Sequence, residues 1–229
     1  MRTHTFLDPF GAFAPDDAGQ DGRGAAPRNL SYRALLRDAW YDLPAATRGR
    51  FERHDALYAG TMELHATAAG RWVARLCGLV GSPLPPPHAR PLATTVRVEP
   101  DGATGGSRWT RCYAFPRRLV CVASVKALDA EGALVERLDF GLRMRLTVSV
   151  RAGALCFDSN GYYVECPGVF WRGRRWCSWR LPLPSWFLPG RTCVAHQDLG
   201  DGHFRFTMKI QHALLGELFR HDGVFRSLE

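Results

Sequence analysis

A chain of 229 residues, 46% of them hydrophobic, can bury a sizeable core, and all-β barrels commonly use this length for one domain. The formal net charge is +8, but all except two of the 30 basic residues are arginine (the exceptions are Lys126 and Lys209) and only Arg172, Arg174, Arg175 and Arg180 cluster, which excludes nucleic acid as the expected partner. No window reaches the ~18 apolar residues of a membrane span, and the amino terminus lacks a signal-peptide pattern. The seven cysteines contain no C-x-x-C pair and read as small buried hydrophobes in a reducing compartment, so the expected location is cytoplasmic.

Residues 1–28 are rich in Gly, Ala, Asp and Pro without any period and are expected to form a disordered or loosely docked tail, leaving 29–229 as a single domain. Asn29 or Ser31 can cap a helix in which Tyr32, Leu35, Leu36, Ala39, Trp40 and Leu43 recur at helical spacing. Pro44 breaks it and suits the first turn of a second short helix through Phe51 and His54, where its missing N–H costs nothing. From Leu57 the period becomes two, with Tyr58, Met62 and Leu64 on one face of a first strand. A helix follows with Trp72, Val73, Leu76, Leu79 and Val80 expected on its apolar side, ended by the proline-rich spacer 83–91.

Beyond the spacer, almost everything reads as strand: 92–100, 107–115, 118–129, 133–140, 142–151, 154–165, 174–181, 191–198, 203–212 and 218–228. The separating turn signals are Asp101-Gly102, Glu131-Gly132, Ala152-Gly153 and Asp201-Gly202. A fifth, Asp222-Gly223, marks either a turn or a bulge within the last strand. In residues 142–151 and 203–212 apolar and polar side chains alternate strictly, so Met144, Leu146, Val148, Phe204, Phe206, Met208 and Ile210 are expected to face inward. A meander of eight to ten such strands must close or split to avoid open edges. The predicted fold is therefore mainly β: an antiparallel meander closed into a calycin-like barrel, with short N-terminal helices packed outside.

The run Tyr32, Leu35, Leu36, Leu43, Pro44, Phe51, His54, then Trp109-x-Arg111-x-Tyr113-x-Phe115, Leu134-Val135-Glu136-Arg137, Leu181-Pro182-Leu183-Pro184, Phe204-x-Phe206 and Leu215-Gly216 with Gly223, resembles a bacterial family of domains of unknown function, number 4166. Members of that family occur alone or behind a saccharopine-dehydrogenase-like or other nucleotide-binding domain. The resemblance thus implies a possible dehydrogenase-like protein partner. This chain carries no Rossmann fingerprint of its own, since Gly22-Arg23-Gly24 lacks the third glycine and a preceding strand.

No nucleophile elbow, phosphate-binding loop or zinc spacing is present, so no catalytic residue, metal ligand or cofactor is assigned. His196 and Asp198, at i and i+2, share one strand face, as do Glu63 and His65; such pairs can do acid-base work but are more often plain neighbours. Glu136 and Arg111 form either a structural ion pair or, through the arginine, a receptor for an acidic head group. The segment Trp171–Gly190 holds four of the seven tryptophans; Pro182, Pro184 and Pro189 exclude its second half from a sheet, so Trp186, Phe187 and Leu188 must either plug a core or cover a ligand cavity. The expected function is binding of an apolar or amphiphilic small molecule, with Trp109, Arg111, Glu136, Trp179, Trp186, Phe187 and His196 as candidate ligand contacts. The alternatives are an enzyme or enzyme subunit acting on such a ligand with a dehydrogenase-like partner, and a solid-cored scaffold or interaction domain.

Overall fold

The computed structural model describes residues 28–79, 84–166, 170–171, 174–175, 179–184 and 190–228. Ser31 caps the first helix, its hydroxyl accepting from the Ala34 N–H at 3.3 Å. The helix foreseen from Tyr32 to Leu43 divides into α1 (Tyr32–Leu36) and a 3-10 turn (Arg37–Asp42), because Arg37 adopts φ 52° and interrupts the α-helical ladder. Pro44 precedes α2 (Ala45–Glu52), as its fixed φ suits a helix entry. Then come β1 (Ala56–Ala66), α3 (Ala68–Leu79), β2 (His88–Asp101), β3 (Gly106–Phe115), β4 (Arg118–Leu128), β5 (Leu134–Arg137), β6 (Leu142–Arg151) and β7 (Ala154–Cys166). The remaining strands are β8 (Phe170–Trp171), β9 (Arg174–Arg175), β10 (Trp179–Pro182), β11 (Arg191–Gly200), β12 (His203–His212) and β13 (Gly216–Ser227).

Ten strands form one closed antiparallel wall: β1 to β7 follow one another, β7 passes to β11, then β12 and β13, and β13 pairs back onto β1. The expected closed meander is the architecture found. Its closing ladder runs from Tyr58 opposite Ser227 to Ala66 opposite Phe219. Period-two alternation puts Met144, Leu146, Phe204, Phe206 and Ile210 in the buried core with Val148 and Met208 packed against it, as their spacing requires.

One seam is short. β11 pairs with β7 only from Cys193 opposite Asp158 to His196 opposite Leu155; farther along, β10 takes the same edge of β7, from Trp179 opposite Cys166 to Pro182 opposite Tyr163. Between the two ladders the strands are bridged by side chains: Ser159 Oγ accepts from the Thr192 N–H at 2.8 Å, and the Tyr162 and Thr192 hydroxyls lie 3.2 Å apart.

The helices lie outside the wall but are not merely appended to it. Tyr32 and Phe51 reach the inner face at one end of the barrel, where their rings meet Phe157 at 5.7 and 6.0 Å, and Phe51 also meets Trp109 at 5.9 Å. At the other end α3 packs Ala69, Val73 and Ala74 over Leu218 and Phe219. Trp72, expected on that apolar side, is 67% exposed and lies under the Arg75 guanidinium.

Three other readings change. The strand expected over 133–140 stops at Arg137 and turns through a 3-10 segment, Asp139–Gly141, where Gly141 takes φ 75°. The strand expected over 174–181 is described as β9 and β10, with 176–178 outside the described residues. The buried-thiol reading fails at Cys112 and Cys121, which sit directly opposite each other on β3 and β4 and form a disulfide. Arg111, Tyr113, Val120 and Val122 take the inward positions of those strands, so alternation sends both cysteines to the outer face. Among the described residues no helix is long and apolar enough to cross a membrane.

Candidate functional site

Cross-strand register determines which side chains meet inside the wall. Val98 faces Trp109, Val96 faces Arg111, Trp109 faces Ser124, and Lys126 faces Glu136, each pair sharing the inner side of the sheet. From the opposite wall β11 and β12 contribute His196 and Phe206 as direct partners, with Phe204 next along. The result is an aromatic interior that also carries charge. His196 is 5% exposed and ringed by Phe51 at 5.0 Å, Phe206 at 5.2 Å, and Trp109 and Phe157 at 6.0 Å.

At the centre is a cavity of about 20 Å³, room for about one water. It is lined by Tyr58, Met62, Val96, Phe204, Phe206 and Phe225 with Arg50, Trp109, Arg111 and His196. Arg50 arrives from α2 and lays its guanidinium 3.8 Å above the Phe204 ring, with Nη2 3.6 Å from Asp198 Oδ1. The wall farther from α2 is less completely covered, since the inward residues Val122, Val194 and Met208 are only partly buried.

The charges sort into partners and one remainder. Glu136 accepts a hydrogen bond from the Ser124 hydroxyl at 2.6 Å and lies 3.2 Å from Lys126 Nζ. Burial pushes the Glu136 carboxyl up, but the charges of Lys126 and Arg111 and the hydrogen bonds outweigh it and hold the group below the usual carboxylate range. Burial pushes the Lys126 ammonium down from its ordinary value, with Glu136 opposing the shift. Arg111 has no ion pair or hydrogen bond among the described residues; its guanidinium sits 6.0 Å from the Trp109 and Phe206 ring centres. His196 is held well below the usual imidazole value by burial and then by Arg50, Lys126 and Arg111, so it is neutral at pH 7. Three nitrogens on the cavity lining are buried without a partner: Arg50 Nη1, Trp109 Nε1 and His196 Nδ1. A buried polar atom left unbonded costs about 1–3 kcal/mol, so three around one space form an unusual concentration.

The structure therefore brings Trp109, Arg111 and His196 to one cavity and puts Glu136 in the same interior, held by Lys126. The expected pair of Glu136 with Arg111 is corrected: Arg111 is on β3, whereas the residue facing Glu136 from β4 is Lys126. Trp179 is 54% exposed on β10 and is not part of the cavity. Trp186 and Phe187 lie outside the described residues. Asp198 meets Arg50 rather than His196, and Glu63 and His65, 3.4 Å apart, are an exposed pair. Sequence reasoning missed Lys126, although its inward parity on β4 was readable from Val122 and Ser124. It also missed Arg50, whose position on a helix gives no sign of which strand residues it will touch. Among the described residues no cluster of three or more His, Cys, Asp or Glu could hold a metal ion.

A family model described as a domain of unknown function, DUF4166, matches residues 43–225. Comparison with curated proteins and with solved structures gives no match.

Proposed function

Since the chain belongs to the DUF4166 family, a membership that brings no activity with it, we propose from the interior alone that the barrel binds a small molecule with an apolar body. The observation that carries this reading is the central cavity, walled by Tyr58, Trp109, Phe204, Phe206 and Phe225 yet lined by polar nitrogens without partners. A core selected only for packing tends to fill such a space and to give most buried donors a protein partner. Room for about one water is too little for an amphiphile, so entry requires side chains to move. Met62, Met208 and Arg111 are the adaptable members of the inner wall, being unbranched with several rotatable bonds.

The cavity's small volume favours a second reading, a solid-cored scaffold in which the interior binds nothing. Titration with the neutral fluorophore N-phenyl-1-naphthylamine separates the two. The binding reading expects a saturable rise in fluorescence, lost in Val96→Phe, which fills the cavity. A wild-type protein that gives no saturable signal with this probe and binds no other apolar probe overturns binding and leaves the scaffold.

A further inference from the structure

We propose that the interior is a seat for one carboxylate, the acidic end of an amphiphilic ligand, received by Arg111 together with Trp109 Nε1, His196 Nδ1 and Arg50 Nη1. The proposal rests on the reading of the barrel as a binding cavity and names the class of molecule it takes. The first argument is charge. Among the described residues three cations point into the interior, Arg50, Arg111 and Lys126, against two carboxylates, Asp198 and Glu136. Each carboxylate is near a particular cation, at 3.6 Å for Asp198 with Arg50 and 3.2 Å for Glu136 with Lys126, so the positive charge left over is that of Arg111. Arg111 is half-buried and keeps some contact with water, but an anion of charge −1 beside it supplies the counterion that the other two cations already have.

The second argument is independent of charge. Trp109 Nε1 is a donor in every protonation state, and Arg50 Nη1 is a donor at any pH the fold survives. His196, neutral at pH 7, donates from Nδ1 in one of its two tautomers. All three lack partners, and Trp109 and His196 are 7% and 5% exposed. A carboxylate, which only accepts, is the smallest common group that takes several such donors and pairs with a guanidinium through two oxygens. Phosphate fits less well, because as a dianion it would overcompensate the single positive charge left over. The rest of the lining is aromatic or aliphatic, so the remainder of the ligand is apolar.

The test compares decanoate with 1-decanol by calorimetry, on wild type and on Arg111→Met. Wild type should bind decanoate roughly tenfold to a hundredfold more tightly than decanol, the worth of a charge-assisted hydrogen bond. In Arg111→Met the two ligands should bind alike. That variant should still melt cooperatively, because the guanidinium it removes has no ion pair or hydrogen bond among the described residues; should it fail to fold, Arg111→Gln takes its place. Acetate should displace decanoate more effectively than phosphate does at equal concentration. The His196 imidazole signal followed by NMR should titrate at higher pH once decanoate is bound, since a nearby negative charge favours the protonated ring. Equal affinity of wild type for decanoate and decanol, or phosphate competing as well as acetate, overturns the carboxylate seat even where N-phenyl-1-naphthylamine binds. Failure of all three apolar probes overturns the seat and the cavity reading together.

Discussion

Inside the barrel, burial above all keeps two histidines uncharged. His221 is 2% exposed, faces Leu64 and Met208 across its two ladders, and is pushed down to about 4, first by burial and then by Arg111 and His65. His196 is shifted in the same direction. In both cases the unfolded chain binds a proton at a pH where the folded one does not. Their contribution to stability is complete above about pH 6.5, the ordinary imidazole value, and is lost as pH falls toward 4. We expect the urea midpoint to drop across that interval by the equivalent of a few kcal/mol at most, and His221→Leu to flatten the slope. A midpoint independent of pH between 7 and 4 would show that these rings reach water. Part of this is legible in the sequence: Trp109 and Arg111 stand two apart in the Trp-x-Arg-x-Tyr-x-Phe motif, and the i, i+2 spacing of His196 and Asp198 puts them on one strand face. Which cation would face Glu136 is not, because that depends on the β4–β5 register, and local sequence does not specify a cross-strand partner.

At the scale of elements, two glycines explain how strands of large aromatic residues can close tightly. Gly60 on β1 and Gly223 on β13 both stand beside the Phe225 ring: a Cβ on Gly60 would come within 2.0 Å of the Val224 carbonyl oxygen, and one on Gly223 within 2.5 Å of that of Thr61. The Asp222-Gly223 signal is thus neither the turn nor the bulge that composition suggested, but a close approach within a regular ladder. The neighbouring signals at Ala152-Gly153 and Asp201-Gly202 are true hairpin turns with positive φ at both residues, 48° and 73°, 50° and 73°. Sequence alone does not separate these cases, since the same dipeptide chemistry serves both. Gly60→Ala should lower stability by about 1–3 kcal/mol, because backbone must shift to admit the methyl group. Gly49→Ala, in α2 with nothing within 4 Å, should raise it by about 0.5–1 kcal/mol. Thermal melts of the pair check both signs at once. A Gly60 variant as stable as wild type would mean that β1 and β13 are not in the contact described.

For the whole molecule, legibility follows the range of the interactions. Strand existence and inward parity were readable because alternation is a local property. That β13 would be the strand to pair with β1 was not, because nothing near either strand encodes the other. A chain lacking β13 should accordingly leave both β1 and β12 with an open edge, and edges of that length recruit other chains. Size-exclusion chromatography of a chain ending at His212 should give aggregates rather than a monomer; a soluble monomer with native circular dichroism would show that the ring need not close.

The same closing ladder has a consequence in time. Tyr58 belongs to the first strand of the meander and Ser227 to the last, so the contact that completes the ring joins the most distant strands of the sequence. During synthesis β1 and β2 emerge long before their ring can be sealed, and for that interval β1 keeps one unpaired side while its eventual neighbour is still inside the ribosome. Folding of this topology is therefore slow in its final step and most exposed to competition from other chains in that interval. Refolding yield from denaturant should fall as protein concentration rises, while the native barrel at the same concentrations stays monodisperse.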